Sequence, residues 1–545
     1  MRQAFIGVDV GTTSARAGLF DDGGRLLATA RRPIALWREA GDIAEQSSDD
    51  IWQACAGAVR DALAEAGLRP ALVKGIGFDA TCSLAVLDRT GNPLSVSLSG
   101  DPRRNIIVWM DHRAIVQARR ITETADPVLR HVGGIISPEM ETPKLLWLKE
   151  TLPATYRAAG HFFDLADYLT YRATGSATRS SCTLTCKWTY LAHERRWNRQ
   201  YFERIGLADL LADDGEKIGS KVVEPGTALG AGLTPEAALA LGLLPGTPVG
   251  AGLIDAHAGG VGTIGGQGAD GAPVEILDRL AYVMGTSACI MATTGTPCFV
   301  PGVWGPYFSA MVPGLWLNEG GQSATGAAID HLVQSHPAYP ELAAAADAAG
   351  VAPLDLLERG AVERLGSAGE AALLARDLHV LPEFLGNRSP YADPEARALV
   401  AGLGLDSGVE SLQRLFVAGL CGIAYGLADV VDALREQGIP CRTIVASGGA
   451  SRSAVVRQIM ADATGIPVVL PATEEPVMLG AAMLGAVAAG AFPSLRAAMT
   501  VMSRLGPSTP AASGELTRFH AAKRRIYSMM RQLDKESRAA MKGLS

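Results

Sequence analysis

Acidic and hydroxyl-bearing side chains follow the first apolar run of this 545-residue chain, in the segment DVGTTSARAGLF. Asp9 ends that run and precedes Gly11, Thr12, Thr13 and Ser14. Glycine lets the backbone approach an anion closely, and successive N–H and hydroxyl groups can bind phosphate oxygens. A carboxylate at a strand end can also hold Mg²⁺, directly or through water. The segment is either such a phosphate-binding hairpin or an ordinary strand turn, and it is not a Walker loop, because GxxxxGK[ST] is absent from the sequence.

A second acidic residue, Asp255, follows an uncharged run in the segment GLIDAHAGG. A carboxylate fixed at the mouth of an apolar strand suits general-base catalysis, but the same position is also typical of a helix N-cap. His257 could ligate a metal, yet no second ligand has a suitable spacing, which favours a buried histidine with hydrogen-bond partners. Cys182 and Cys186 have no partner pair in the sequence, so their spacing argues against a zinc site.

Three further segments combine aromatic rings with hydrogen-bonding side chains, a combination typical of carbohydrate pockets. They are GFDATCS at 77–83, VWMDHRA at 108–114 and CKWTYL at 186–191. The side chains in them that could contact a sugar are Asp79, Thr81, Cys82, Trp109, Asp111, His112 and Lys187. Each segment could equally be structural, so the sequence leaves both interpretations open.

The order of apolar runs and turns predicts an α/β fold that occurs twice in the chain. Strands at 5–10, 15–20 and 26–30 form a meander, and a helix at 48–65 and a buried strand at 73–79 follow. A strand–turn–strand unit recurs at 280–293, where GTSACIMATT resembles the earlier GTTSARAGLF. The repetition predicts a second phosphate-binding hairpin, formed by Gly285, Thr286 and Ser287.

A third glycine-containing turn, SGGASRS at 447–453, lies between a predicted strand at 443–446 and a predicted helix at 454–464. Paired glycines at a helix start allow close approach of a phosphate or a flat ligand. The turn could also be a simple connection between strand and helix. A dinucleotide-binding interpretation is weak because the motif GxGxxG is absent.

Composition bounds the possible partners and the compartment. Lys and Arg total 49 against 56 Asp and Glu, a net charge of −7 that gives no reason to expect nucleic acid or an anionic membrane as a partner. Eight irregularly spaced cysteines and the absence of a signal-peptide pattern predict reduced thiols and a cytoplasmic location. Three uncharged stretches are rich in Pro, Gly or Ala, which favours buried strands and a core helix over membrane spans.

The glycine-rich stretch GGVGTIGGQGADGAP predicts the boundary between two domains, near residues 262–272. The division gives an N-terminal domain at 1–265 and a C-terminal domain at 266–545. Glycine at such a joint would permit hinge motion, and the alternative is a plain surface loop.

Taken together, these motifs resemble the FGGY carbohydrate kinases of the actin-like ATPase superfamily. The resemblance covers about residues 4 to 500 and includes two further family signatures, TPKLLWLKE at 142–150 and LGNRSPYADPEARALVAGLGL at 385–405. It implies two RNase H-like domains that face each other across a cleft, with the sugar held mainly by the first and ATP by the second. WMDHRA, FDATCS and CKW most resemble the ribulokinase branch.

The resemblance also implies individual roles. Asp255 would be the catalytic base and, with Asp9, would hold Mg²⁺. The sugar would contact Thr81, Cys82, Trp109, Asp111, His112, Lys187, Asp255 and Glu319, the last in NEGGQSATGAAID. The nucleotide would contact Gly11, Thr12, Thr13, Ser14, Gly285, Thr286, Ser287, Gly326, Asp330, Gly448, Gly449, Ala450 and Ser453.

The implied activity is transfer of the γ-phosphate of ATP, with Mg²⁺, to a terminal hydroxyl of a ketopentose, with D-ribulose as the first choice. Other kinase branches, acting on L-ribulose, xylulose, pentitols or glycerol, remain alternatives. A non-enzymatic or chaperone-like ATPase of the same superfamily is the alternative from a different class. The expected partners are a small-molecule sugar and ATP, and the chain is expected to form a homodimer.

Overall fold

The computed structural model describes residues 3–39, 43–268 and 275–542. The first sheet contains β1 (Ala4–Val10), β2 (Ser14–Asp21), β3 (Leu26–Pro33), β6 (Val73–Ala80) and β12 (Leu253–Ile254), numbered in chain order. The first three strands are antiparallel neighbours and confirm the predicted meander, whereas β6 and β12 run parallel to β1 on its other side. All seven residues of β1 are buried because the strand is covered on both faces.

The second sheet repeats this arrangement. It contains β13 (Arg279–Met284), β14 (Ala288–Thr294), β15 (Trp304–Phe308), β16 (Trp316–Gln322), β19 (Thr443–Ser447), β20 (Val468–Pro471) and β21 (Leu505–Thr509). An antiparallel unit of β13, β14 and β16 is followed by the parallel strands β19 and β20, as in the first sheet. The remaining strands, β15 and β21, extend the two edges.

Helices surround both sheets, and three smaller sheets lie beside them. The small sheets comprise β4 (Trp37–Glu39), β5 (Ile43–Gln46), β7 (Leu84–Leu87), β8 (Ile106–Ile107) and β9 (His161–Asp164); β10 (Arg179–Ser180) and β11 (Val222–Val223); and β17 (His379–Leu381) and β18 (Leu399–Ala401). The helices are α1 (Ser48–Ala66), α2 (Ile115–Glu123), α3 (Glu141–Thr151), α4 (Pro153–Ala158), α5 (Leu165–Thr174), α6 (Ser181–Lys187), α7 (Arg199–Arg204), α8 (Pro235–Leu241), α9 (Asp255–Ile264), α10 (Gly326–Gln334), α11 (Tyr339–Ala349), α12 (Pro353–Leu365), α13 (Val409–Glu436), α14 (Ala454–Thr464), α15 (Pro476–Ala488), α16 (Leu495–Met502) and α17 (Glu515–Lys542).

The predicted glycine-rich joint is helical in its first part, whereas the sequence suggested a hinge or a surface loop. Its first residues belong to α9, and its residues from 269 onward lie outside the described part of the chain. The helical glycines permit close packing: a Cβ on Gly262 would lie 1.9 Å from the Pro476 carbonyl oxygen, and one on Gly480 2.0 Å from that of Ala258. Glycine therefore lets α9 and α15 pack backbone against backbone at this point.

Helix α15 belongs to the second half of the sequence but packs on the first sheet. Added Cβ atoms on Gly7 of β1 and Gly77 of β6 would lie 1.8 and 2.0 Å from carbonyl oxygens of α15. One large hydrophobic core consequently contains residues from both halves, among them Phe5 and Met478. The two halves are thus joined by a shared core that includes α9 and α15.

One helix, α13, is long and apolar enough to cross a membrane by length and composition. Within its apolar window, 94% of the residues are buried inside the protein, as in the core helix of a folded domain. It was not among the three uncharged stretches of the sequence, because charged residues interrupt it.

Candidate active site

Three aspartates meet at one edge of the first sheet. Strands β1, β6 and β12 are parallel neighbours, so their carboxyl ends lie together. Asp9 is paired in register with Asp79, and Asp255 directly follows β12. Burial, with Asp9 and Asp255 nearby, raises the pKa of Asp79 well above its usual range. Burial and Asp9 likewise raise the pKa of Asp255 to about 6.

Asp255 is half-buried in the first turn of α9, where a carboxylate also interacts well with the helix dipole. Its Oδ1 accepts a hydrogen bond of 2.7 Å from the backbone N–H of Ala256. Asp255 is therefore the first residue of α9 and not its N-cap, which is Ile254, and the general-base role stays a prediction. Helix α9 fixes the carboxylate, and its partial exposure leaves it accessible to a substrate.

The acidic edge suits a divalent cation. Both carboxylate oxygens of Asp79 are buried and have no hydrogen-bond partner among the described residues. Asp9 Oδ2 accepts a hydrogen bond of 2.8 Å from Arg16 Nε–H. The same guanidinium forms an ion pair with the Glu475 carboxylate at 3.0 Å. Hard carboxylate oxygens are the ligands that Mg²⁺ prefers, so Asp9, Asp79 and Asp255 are the candidate ligands that this edge offers.

Both predicted glycine hairpins are present, and each is closed by a backbone hydrogen bond from its glycine, although the second turn is one residue tighter. Gly11 N–H donates to the Ser14 carbonyl at 3.0 Å, and Gly285 N–H donates to the Ser287 carbonyl at 2.8 Å. Thr13, Gly285 and Thr286 are exposed, and the other turn residues are half-buried or buried, namely Gly11, Thr12, Ser14 and Ser287. Exposed backbone and hydroxyl groups on such turns are available to phosphate oxygens.

The second hairpin contacts the start of α10. Gly326 N–H donates to the Gly285 carbonyl at 3.1 Å, and Ala327 N–H donates to that of Thr286 at 3.2 Å. Asp330, one turn further along α10, is exposed.

The SGG turn lies directly beside the second hairpin, because β19 is the parallel neighbour of β13. A Cβ on Gly448 would lie 1.9 Å from the Met284 carbonyl oxygen, so only glycine allows this approach. Gly448, Gly449 and Ala450 are exposed. Ser453 is the N-cap of α14, and its Oγ accepts a hydrogen bond of 3.0 Å from Val456 N–H.

A buried cation, Lys187, lies at the end of α6. Lys187 Nζ stands 4.6 Å from the centre of the Trp304 ring, and the Arg388 guanidinium is 5.6 Å from the same ring. Burial disfavours the ammonium, but the neighbouring Cys82 and Glu319 hold the pKa of Lys187 well above its usual value. The charged Lys187 also interacts electrostatically with Asp255, in the direction that lowers the pKa of that carboxyl.

Glu319 is hydrogen-bonded to His257, which stands two residues after the predicted base Asp255. His257 Nε2 lies 3.1 Å from Glu319 Oε2, and His257 Nδ1 lies 3.1 Å from Cys182 Sγ. Burial favours a neutral carboxyl, but Lys187 and His257 lower the pKa of Glu319 to about 2. An ionised carboxylate only accepts hydrogen bonds, so the ring proton must lie on Nε2.

Trp109 connects the sugar-type residues to the first hairpin. Its ring Nε1–H donates to Thr12 Oγ1 at 3.0 Å, and its backbone N–H donates to Ser83 Oγ at 3.1 Å. Thr81 Oγ1 lies 3.1 Å from the same Ser83 hydroxyl, and Cys82 beside it is buried. The loop after β6 therefore lies between the phosphate hairpin and Lys187.

Comparison with known proteins agrees with this arrangement. Residues 4–262 match the N-terminal domain of the FGGY family of carbohydrate kinases, and residues 280–489 match the C-terminal domain. The chain belongs to the FGGY family of carbohydrate kinases. It is an ATP-dependent sugar kinase, as the family resemblance in the sequence implied.

Individual relatives extend over nearly the whole chain. A human FGGY carbohydrate kinase domain-containing protein is 49% identical over 92% of this chain and 91% of its own length. A D-ribulokinase of Saccharomyces cerevisiae is 36% identical over 99% of this chain and 78% of its own. The crystal structure of a xylulose kinase from Rhodospirillum rubrum superposes with a TM-score of 0.77 at 24% identity, covering 97% and 98% of the two chains. This last likeness establishes the two-domain, actin-like ATPase fold.

In the structure of this FGGY kinase, the Asp111 carboxylate is hydrogen-bonded within the protein and does not face a sugar pocket. Its Oδ1 accepts from Arg113 N–H and Nε–H at 2.9 Å each, and its Oδ2 accepts from Ala44 N–H at 2.7 Å. The side chain is fully buried, with Oδ2 also accepting from Arg113 Nη2 at 2.7 Å. Asp111 therefore stabilises its loop and is not available to a sugar hydroxyl in this structure.

Two charged residues of this site were missed by the sequence interpretation. His112 Nε2 lies 3.7 Å from Glu139 Oε1, and Arg388 Nη2 lies 3.5 Å from the same oxygen. Burial favours the neutral acid, but Arg388 and His112 lower the pKa of Glu139 to about 2. Arg388 stands inside a family signature, so its segment carried a signal, whereas Glu139 did not stand in any motif.

The fold also changes the view of metal ligands around His257. No second ligand was expected from spacing, yet ligand atoms of Cys186, His257 and Glu319 lie within 4.8 Å of one another. The three come from α6, α9 and β16, which only the tertiary structure brings together.

Proposed function

We propose that this enzyme transfers the γ-phosphate of ATP to a terminal hydroxyl of D-ribulose. The observation that carries the proposal is the position of Asp255 at the acidic edge of the first sheet, near enough to the buried Lys187 for the two charges to interact. The relationship to a D-ribulokinase across 99% of this chain supports the choice of sugar. The chain is accordingly a ribulokinase-like sugar kinase whose preferred ketopentose is the proposed part.

In the proposed reaction, Lys187 and Glu319 orient the sugar. Lys187 donates hydrogen bonds to sugar oxygens, and the ionised Glu319 accepts them from hydroxyl groups. Thr81, Cys82, Trp109 and His112 border the same region, and Arg388 with Glu139 lies beside Lys187.

Asp255 accepts the proton of the terminal sugar hydroxyl while the oxygen of that hydroxyl forms a bond to the γ-phosphorus. The bond between that phosphorus and the bridging oxygen breaks, and ADP leaves. The backbone and hydroxyl groups of the hairpins around Gly11 and Gly285 stabilise negative charge on the phosphoryl oxygens. Positioning and charge stabilisation supply most of the acceleration, because phosphoryl transfer needs little covalent participation by the protein.

Asp9, Asp79 and Asp255 would hold Mg²⁺, which supplies charge neutralisation to the ATP phosphates. ATP would lie along the second sheet, with its phosphates at the turn of Thr286 and its adenosine near the SGG turn. Gly326, Asp330, Gly448, Gly449, Ala450 and Ser453 border that path.

The test is a coupled ADP-release assay with D-ribulose, L-ribulose, D-xylulose, pentitols and glycerol at matched concentrations. We expect the highest kcat/KM for D-ribulose. A value at least tenfold higher for D-xylulose or glycerol would show a different kinase branch. ATP hydrolysis that is fast without sugar and unchanged by every sugar would favour the non-enzymatic ATPase alternative.

Three features of the proposal stay predictions. They are domains at 1–265 and 266–545 that close on ligand about a hinge near 262–272, a cytoplasmic location, and a homodimer.

A further inference from the structure

A buried bridge of three side chains connects the helix of the base, the helix of Lys187 and the strand of Glu319. The bridge consists of Cys182 on α6, His257 on α9 and Glu319 on β16. His257 and Cys182 are fully buried, and Glu319 is 4% exposed. Cys182 Sγ also accepts from Ile254 N–H at 3.4 Å, directly before Asp255. The bridge therefore fixes the three elements relative to one another.

We propose that His257 is a positioning residue for the sugar-binding carboxylate: its Nε2–H holds Glu319 in the orientation that receives the sugar hydroxyls, and Cys182 holds the ring. The inference rests on the proposed function, because it concerns the contact between Glu319 and the sugar.

The geometry leaves little freedom to the ring. Both ring nitrogens have partners at 3.1 Å on opposite sides, so a rotation of the ring breaks both contacts. Glu319 Oε2 is hydrogen-bonded to His257, so in the proposed complex Oε1 is the oxygen left to accept from a sugar hydroxyl. Without the ring, the Glu319 side chain would regain rotamer freedom and would turn toward the cationic Lys187 and Arg388, away from hydroxyl donors.

Two substitutions at this position separate the contacts. His257→Gln places an amide N–H close to the position of Nε2–H and keeps the bond to Glu319. His257→Asn reaches only the Nδ1 position, so it keeps a contact with Cys182 and loses Glu319. The two variants are similar in polarity and are matched for loss of the ring.

We expect His257→Asn to raise the KM for D-ribulose roughly tenfold to 100-fold, the range of one charge-assisted hydrogen bond, with kcat reduced less and the KM for ATP unchanged. The KM of His257→Gln for D-ribulose should be at least fivefold lower than that of His257→Asn. Equal sugar KM values for the two variants, or a larger effect in His257→Gln, would overturn the proposal.

If both His257 variants precipitate, Cys182→Ser and Cys182→Ala provide the second comparison. Serine still accepts from the ring and from Ile254 N–H, whereas alanine does not. A sugar KM that rises in Cys182→Ala and largely recovers in Cys182→Ser supports the bridge, and equal values overturn it.

Three further outcomes are distinguishable. Stoichiometric zinc in the purified protein would assign Cys186, His257 and Glu319 to a metal centre and would overturn the positioning role. A wild-type enzyme that phosphorylates no sugar in the panel would refute the proposed function, and the inference with it. Normal wild-type turnover with identical Asn and Gln variants would refute the inference alone.

Discussion

Asp9 and Asp79 are paired in register on two neighbouring parallel strands, so their carboxylates lie side by side at the acidic edge of the first sheet. Asp255 follows the next strand and completes the row. Like charges this close oppose ionisation, and burial adds to the effect at Asp79. The arrangement is unfavourable for the free protein and favourable for a bound cation.

The first prediction concerns Asp79→Asn. Since the folded-state pKa of Asp79 is raised above its unfolded value, its contribution to stability is present at low pH and lost as pH rises. At neutral pH the amide removes this cost, so the melting temperature of the metal-free variant should exceed that of the wild type by a few degrees.

Added Mg²⁺ should then raise the melting temperature of the wild type more than that of Asp79→Asn, because the variant has lost a ligand. The control is Asp61→Asn. Asp61 lies on α1 and forms a half-exposed ion pair with Arg32 of β3, so this variant should respond to Mg²⁺ like the wild type. An Asp79→Asn variant that is less stable and equally responsive to Mg²⁺ would contradict the cation site.

The second prediction concerns Lys187→Met, which keeps an apolar stem against Trp304 and removes the charge. Loss of charge-assisted hydrogen bonds, each worth ~1.5–3 kcal/mol, should raise the KM for D-ribulose at least tenfold and leave the KM for ATP unchanged. Lys149→Met, at a partly exposed pair with Asp209, is the matched control. Unchanged sugar kinetics in Lys187→Met would remove Lys187 from the pocket.

The third prediction concerns the hydrogen bond from Trp109 Nε1 to Thr12 Oγ1, which connects the sugar region with the first hairpin. Trp109→Phe and Thr12→Val each delete this bond, and each should lower kcat/KM about fivefold, the effect of ~1 kcal/mol. The double variant should be little worse than either single variant, because the same bond is lost. Effects that multiply in the double variant would show that the two residues act independently.

Local features of the fold were predictable from the sequence. The meander and both hairpins are confirmed, because apolar runs and glycine turns a few residues apart specify them locally. The helix predicted at 454–464 has those bounds in the structure, with Ser453 as its N-cap. The sequence did not show that the glycines at 259–264 are helical, since the same residue type serves a flexible joint and the close packing of α9 against α15.

The site was only partly predictable, because its contacts join distant parts of the chain. Asp79 appeared as a sugar candidate, and only strand register places it between Asp9 and Asp255. The partner of Arg388 is Glu139, far away in the sequence, and spacing arguments cannot find such a pair. The same reason hid the bridge between His257 and Glu319.

The fourth prediction concerns the packing of α9 against α15. A Cβ on Gly480 would lie 2.0 Å from the Ala258 carbonyl oxygen, a backbone atom that cannot move aside alone. Gly480→Ala should therefore lower the free energy of unfolding by ~1–3 kcal/mol or more and reduce activity through displacement of α9. Gly404→Ala, with no heavy atom within 4 Å of the added Cβ, should be neutral. A fully stable Gly480→Ala variant would contradict the close approach of the two helices.

The central claim is that Asp255 accepts the proton of the sugar hydroxyl, and Asp255→Asn tests it most directly. The amide keeps an oxygen that can accept from Ala256 N–H, so the start of α9 should remain intact. It is not a base at neutral pH, and loss of a general base typically lowers the rate ~10²–10⁴-fold. We predict that kcat for D-ribulose with Mg²⁺ and ATP falls by this factor, while the melting temperature, measured on the same preparation, hardly changes. A variant with a lower melting temperature and normal kcat would show that Asp255 only stabilises the start of α9, and would contradict the account.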